Sequence, residues 1–352
     1  MLLQKLSLQN FRSFSSKIFE FNSPITLIVG SNAIGKTSII EAIALISNGS
    51  SFRAGKVEEM IKFDEELGRV KAIISAEDAK DLEILLTRGM VQGRRSQRTL
   101  YSVNDLRRRK KDFIGKLLAV SFRPEDMRLV EGSPSRRRQF IDSVLCLVDR
   151  DYARSQKVYL EALKKRNKLL WQIREGLMGK QVLSYWNLQL LKHGKVLQKK
   201  RRELFRFFNT ISFSLHFEIG YKSSLISEKR MQEYEVKELV LGHTLIGPHK
   251  DDFIVKLRTP SSKQQDFDIG IYGSRGQQRL AVLWLKICEL EFIEDSTNQR
   301  PILLLDDILS ELDDTSKSYV LKLLDEQQTI ITSADKDTKK ELSRFKFQII
   351  KL

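Results

Sequence analysis

The sequence predicts an α/β fold, with a phosphate-loop nucleotide-binding core wound around a sheet and an inserted, mainly helical lid subdomain. Three observations predict it. First, GSNAIGKT at Gly30 to Thr37 lies between an apolar run, ITLIV, and a segment with Ile39, Ile40, Ile43 and Ile46 at helical spacing. Second, the last third reads helix (277–291), strand (302–305), helix (315–324), strand (329–332), which is the order of α/β winding. Third, from Ser133 to about Phe208 the apolar residues keep a helical period. The expected organisation is a head in two parts, 1–130 and 241–352, with the helical lid at 131–240 between them.

From the N-terminus, LLQKLSLQNF and SKIFEF alternate as short strands, and ITLIV is the buried strand that must precede a phosphate loop. Further strands are expected at 68–75 and 82–87. Residues 94–111 are rich in bases and poor in apolar groups, as a hairpin or exposed loop would be. In the lid, Phe140, Val144, Leu145 and Val148 form one face, Leu160, Leu163, Leu169 and Leu170 extend the pattern, and Leu188, Leu191 and Leu197 mark a later helix. GLMG at Gly176 to Gly179 breaks the run, which is too short and interrupted for a long coiled coil. Alternation returns over 206–222, and Phe253 to Leu257 reads as a strand.

Composition narrows the function classes. A chain of 352 residues, 41% hydrophobic, has enough apolar material for one large core or two modest ones. No apolar run approaches the ~18 residues of a membrane span, and the start lacks a signal-peptide apolar stretch, so a cytoplasmic protein with no membrane partner is expected. Cys146 and Cys288 stand apart with no histidine cluster, which argues for buried thiols and against a disulfide framework or a zinc site. The net charge of +16 is unevenly placed: residues 94–138 carry fourteen basic against five acidic side chains, and residues 150–206 carry sixteen against four. Those two stretches exceed the chain's whole positive excess, so the nucleotide motifs sit on a near-neutral scaffold while the middle faces a polyanion larger than ATP. The plain alternative is an overcharged, solvated helical surface.

The motifs supply the chemistry. In GSNAIGKT and the residue after it, Gly30, Ser31, Asn32, Ala33, Ile34, Gly35, Lys36, Thr37 and Ser38 form the nucleotide-binding loop. The two glycines permit turns that aim backbone N–H groups at phosphate oxygens, Lys36 holds the β- and γ-phosphates, and Thr37 ligates Mg²⁺. In ILLLDDILSELDD an apolar strand ends in two carboxylates, which would be costly to desolvate without a cation. Asp306 is the expected Mg²⁺ partner and Asp307 the catalytic residue that orients or deprotonates the attacking water. Ahead of them, GSRGQQR opens a helix with Ser274, Gly276 and Gln277, offering a hydroxyl and unpaired N–H groups to a phosphate. Serine and glycine before a helix are also ordinary capping residues.

The order GSNAIGKT, SRGQQR, LLLDD and SELDD resembles ATP-binding-cassette ATPases of the SMC-like branch. The similarity extends to LSLQNFRSF, SFRAGKVEEMI, FRPEDMRLVEGSPSRRRQFID and LIGPHKDDF, hence to nearly the whole chain. It is nearest to members with a short lid in place of long arms. That resemblance implies a cassette-type head using ATP and Mg²⁺, and action in recombinational repair, replication and the damage response. It also implies binding to gapped or junction DNA and loading of the RecA recombinase together with RecO and RecR. Ser274, Gly276 and Gln277 would then act in trans on the γ-phosphate held by a second copy, making ATP the glue of a homodimer, with Ser310 to Asp313 at the seam. By the same resemblance Arg12 lies near the nucleotide, although an exposed strand-end arginine would look the same. The switch histidine of transport cassettes is replaced near Thr332 and Ser333, and no glutamine follows Phe122. A structural DNA-organising ATPase with short arms is the competing reading.

Three basic clusters are the candidates for DNA: Arg107, Arg108, Arg109, Lys110 and Lys111; Arg136, Arg137 and Arg138; and Lys199, Lys200, Arg201 and Arg202. His249, followed by Asp251 and Asp252, fits either a metal site or a turn held by side-chain hydrogen bonds, the turn being favoured. Trp171, Trp186 and Trp284 fall at helical positions and are expected in the core.

Overall fold

The computed structural model describes residues 2–75, 80–258, 266–335 and 337–352. Two compact units divide the chain: Met1–Met127 with Glu289–Leu352, and Arg128–Cys288.

The first unit holds two sheets. Five parallel strands run in the order Ala119–Phe122, Ile302–Asp306, Thr329–Ser333, Ile25–Val29, Phe347–Lys351. Six antiparallel strands form the other, from Phe14–Glu20 through Leu2–Phe11, Leu67–Ser75, Lys80–Thr87 and Thr99–Val103 to the edge strand Leu106–Arg108. The phosphate-loop helix Lys36–Asn48 shares one core with strands of both sheets. Its sequence, IIEAIALI, is apolar on all sides except at Glu41, and a helix of that kind is stable only when covered all round. Ile39, Ile40, Ile43 and Ile46 are accordingly buried. Residues 94–111 do more than form an exposed loop: after the small hairpin Met90–Val91 with Arg94–Arg95, they supply the last two strands of the large sheet.

The second unit is built on helices Pro134–Val148, Arg150–Arg174, Ser184–Phe208 and Glu228–Leu241, with a small antiparallel sheet of Phe217–Lys222, Asp252–Leu257 and Phe267–Asp268. The two 25-residue helices turn back on each other around Gly176 to Gly179. Close approach is possible at Gly194, where a Cβ would stand 3.2 Å from the Tyr159 ring and 3.0 Å from Ile226. Their contact face includes charge. Arg166 is paired with Glu238 at 2.7 Å, both being almost wholly buried, and also donates to Asn187 and Thr244.

The second unit extends past the boundary at 240 that the sequence predicts. Strand Asp252–Leu257 pairs along its whole length with Phe217–Lys222, and Trp284 donates its indole N–H to the Ile211 carbonyl. These contacts attach residues 241–288 to the helical unit. The helix Arg275–Thr297 therefore begins in the second unit and ends in the first. Among the tryptophans, Trp284 is fully buried, but Trp171 is 45% exposed and Trp186 half-buried. Leu160 and Leu188, expected on apolar faces, are also exposed. The helix turns Tyr152, Tyr159, Ala162 and Leu170 inward instead of Leu160.

Candidate active site

The first unit has a cleft of about 1120 Å³ lined by Arg12, the loop residues Asn32, Ala33 and Gly35 to Ser38, Phe52, Arg123, Glu125, Asp306 and Asp307, among others. Its floor is the mouth of the phosphate loop. Ala33 and Gly35 adopt left-handed backbone conformations with φ of 66° and 113°. A Cβ at Gly35 would lie 2.7 Å from the Phe14 ring and 3.1 Å from the Ser13 hydroxyl, so only glycine fits. Lys36 is buried, and its ammonium donates to the carbonyls of Gly30 and Ser31 at 2.8 and 3.1 Å. The first turn of the helix thus presents N–H groups and one cation to the cleft.

Parallel pairing of the strands brings Asp306 opposite Thr332 and beside the phosphate loop. The Asp306 carboxylate accepts from the hydroxyls of Thr332 at 2.8 Å and Thr37 at 3.1 Å. Burial pushes its pKa up, the two hydroxyl bonds oppose that push, and the carboxylates of Glu125 and Asp307 add to it. A buried carboxylate that shares one hydroxyl with the phosphate loop and faces two other acids is short of a cation. Thr37 and Asp306 are hard oxygen donors of the kind Mg²⁺ prefers, so these residues fit that ion.

Asp307 follows the strand in a left-handed conformation, φ 53°, which aspartate tolerates better than most residues. Its N–H donates to the Thr332 hydroxyl and its carbonyl accepts from Ser310. Thr332 therefore braces both aspartates, a role the sequence hinted at only as a hydroxyl at the switch position. The loop after Asp307 leads to Asp313, whose carboxylate caps the helix Asp314–Leu323 through the Ser316 N–H.

Arg12 lines the cleft and is not a free strand-end arginine. With φ 54° at the tight turn between the first two strands, it makes a two-point ion pair with Glu41 at 2.8 and 2.5 Å and donates to the Glu59 carbonyl. Glu41 is wholly buried on the phosphate-loop helix and also accepts from Ser51, whose hydroxyl in turn receives the N–H groups of Arg53 and Ala54. Beside them the Arg123 guanidinium lies 4.1 Å over the Phe52 ring, a cation–π contact on the cleft wall. Glu41, Phe52, Arg123 and Glu125 were not anticipated from the sequence. Replacing Glu41 with glutamine should lower stability by about 1–3 kcal/mol, because the guanidinium is deprived of its charged partner in a desolvated site. Urea unfolding and nucleotide titration together check this, and an unchanged midpoint with unchanged affinity would remove Glu41 from the account.

Ser274 and Gln277 form a reciprocal cap at the start of the helix Arg275–Thr297. The Ser274 N–H donates to the Gln277 side chain at 2.9 Å, and the Gln277 N–H donates to the Ser274 hydroxyl at 3.3 Å. Capping is thus real, and Ser274 remains exposed. The cleft-lining residues belong to the first unit, whereas Ser274, Gly276 and Gln277 belong to the second.

The DNA candidates divide sharply. Arg201 is withdrawn: it is 2% exposed, paired with Asp142 at 2.7 Å and Asp251 at 3.0 Å, and bonded to Tyr152 and the Pro248 carbonyl. Arg137 clamps Asp252 at 2.6 and 2.9 Å, and Arg138 donates to the Asp251 carbonyl, so both serve as internal braces. Arg136 is half-buried and Lys200 is held by Asp149 at 2.9 Å. Arg107 to Lys111, Lys199 and Arg202 stay exposed. The same network settles the GPHKDD segment. Asp251 accepts from Arg201, Gln198, Tyr221 and the Ser224 N–H, while His249 bridges the Tyr159 hydroxyl and the Thr244 carbonyl. Burial pulls the His249 pKa down to about 4, so the ring is a neutral strut. Among the described residues no cluster of His, Cys, Asp and Glu could hold a metal ion by itself. No helix among them is long and apolar enough to cross a membrane.

Residues 2–349 match the family model described as the RecF/RecN/SMC N terminal domain. The DNA replication and repair protein RecF of Caldanaerobacter subterraneus subsp. tengcongensis is 34% identical over 358 residues, covering 96% of this chain and 95% of the relative. The protein of the same name from Agathobacter rectalis is 33% identical over 368 residues, covering 100% and 96%. A solved structure of the recombination mediator protein RecF-ATPrS in the RecFOR pathway superimposes with a TM-score of 0.86 at 31% identity, covering 100% of this chain and 96% of that one. A second, of RecF-ATP in the same pathway, gives 0.82 at 32% identity, with 95% and 92% covered.

Proposed function

The chain belongs to the RecF family of DNA replication and repair proteins, and from that membership and the cleft we propose that it is a weak, DNA-binding ATPase that closes as a dimer on ATP. The observation that carries the reading is the Thr37–Asp306–Thr332 array beside Asp307, set in a cleft that also holds Lys36. Lys36 and the loop N–H groups would bind the phosphates, with Thr37 and Asp306 holding Mg²⁺. When bound, that ion neutralises charge on the phosphate oxygens. Asp307 would orient and deprotonate the attacking water. It has one methylene less than glutamate and so a shorter reach, which favours slow turnover suited to releasing DNA.

Ser274, Gly276 and Gln277 of a second copy would complete the γ-phosphate site in trans, with the exposed serine and the helix N-terminus supplying the contact. The solved structures described as RecF in the RecFOR pathway support RecO and RecR as partners. RecA loading at DNA gaps, in the cytoplasm, belongs to the same proposal and follows from the family resemblance. Two 25-residue helices extend only ~37 Å each, which disfavours an organising scaffold with long reach.

Two substitutions test the trans contact. Ser274→Arg should leave ATP binding by the monomer nearly intact while blocking the dimer. Ser274→Asp keeps the helix cap and places a negative charge where a phosphate would sit, so it should do the same without the ~1 kcal/mol that removing a cap costs. Equal impairment of nucleotide binding and dimerisation in both variants would mean that the serine does not act across copies.

A further inference from the structure

The Ser184–Phe208 helix carries a row of positive charge that the sequence clusters conceal. Lys192, Lys195, Lys199, Arg202 and Arg206 follow one another at intervals of three and four residues, and all five are exposed. At 3.6 residues per turn they fall within about 80° of the helix circumference and extend over ~21 Å. The burial pattern explains the selection. Gly194, Leu197, Gln198, Arg201 and Leu204 occupy the inner face, so of the run Lys199 to Arg202 only the first and last residues belong to the row.

Like charges at these spacings repel, which works against the helix unless something offsets them. Among the described residues, Lys192, Lys195, Arg202 and Arg206 have no carboxylate within ion-pair distance, and only Lys199 reaches one, Glu203 at 3.9 Å. The neighbouring Arg150–Arg174 helix differs: its exposed row includes Glu161, and its Arg154 pairs with Asp151. Near the start of the row, burial first, then the charges of Lys192 and Arg154, lower the pKa of His193.

We infer that this row on the Ser184–Phe208 helix is the track that holds the phosphate backbone of DNA. A line of exposed cations, four of the five without a carboxylate partner among the described residues, fits a regular chain of phosphates better than a compact acidic surface, and it reads no base sequence. This rests on the DNA-binding reading above and names the surface that reading left open. The side chains are solvent-facing, so their replacement leaves the core network of Arg201 and Asp251 untouched.

The test is the salt dependence of binding to a 40-base-pair duplex with the full chain and ATP present. Lys195→Gln/Lys199→Gln/Arg202→Gln should weaken binding at least ~10-fold at ~0.1 M salt and make the log–log salt slope shallower by about 2.7, or ~0.9 for each phosphate no longer neutralised. A charge-matched variant on the other helix, Lys164→Gln/Lys165→Gln/Lys168→Gln, should change the slope far less. An unchanged slope in the first variant, or equal changes in the two, overturns the track while leaving DNA binding standing. Absence of salt-dependent binding by the wild-type chain overturns the DNA reading itself and the track with it.

Discussion

Lys36→Ala should weaken ATP binding by roughly 10- to 150-fold and abolish ATP-dependent dimerisation. That range corresponds to the about 1.5–3 kcal/mol of a hydrogen bond to a charged group, at about 1.4 kcal/mol per factor of ten. Lys36 is buried at the mouth of the loop, with its ammonium already placed by the Gly30 and Ser31 carbonyls. Little ordering is needed for it to meet a phosphate. Lys36→Met, which keeps much of the stem, should behave alike if charge and not packing is responsible. Titration with a fluorescent nucleotide, followed by sizing at saturating ATP, separates weakened affinity from failed assembly. Undiminished dimer formation by either variant would refute ATP as the link between copies.

The second large effect is expected at Asp307. Asp307→Asn should reduce kcat by roughly 10²- to 10⁴-fold, the usual worth of a positioned general base, while ATP binding persists. Asparagine tolerates the left-handed backbone that Asp307 occupies, so the substitution removes charge without adding strain. Asp306 and its bonds to Thr37 and Thr332 remain to hold the nucleotide side of the site. The dimer should consequently outlive that of the wild type, as phosphate release and dimer decay measured on one sample would show. A normal rate in the variant would assign the water to another group, with Glu125 on the same cleft wall the next to test.

The parts legible in the sequence are those whose signal is local. GSNAIGKT carries its own flanking strand and helix, and ILLLD followed by aspartate announces a buried strand with carboxylates at its end. What escaped depends on residues brought together by folding. Glu41 looks like one polar position in an apolar helix until Arg12, 29 residues away, closes on it. Arg201 looks like part of a surface cluster because LQKKRR has no visible reason to turn one arginine inward; the reason is Asp251, 50 residues further on. The helix Glu228–Leu241 was missed because it buries only Met231 and Glu238. Its ends were readable: Ser227 caps it through the Arg230 N–H and Gly242 closes it with φ 72°. The Ala119–Phe122 strand is only four residues long, too short for its period to be read against the turns around it.

The central claim is the proposal that ATP joins two copies, the exposed Ser274 and helix N-terminus of one completing the γ-phosphate site of the other. Sedimentation velocity of the wild-type chain, without nucleotide, with ATP and with ADP, tests this most directly. The account predicts a monomer alone and with ADP, and a dimer with ATP. A chain that stays monomeric at saturating ATP, or is equally dimeric without nucleotide, would contradict it.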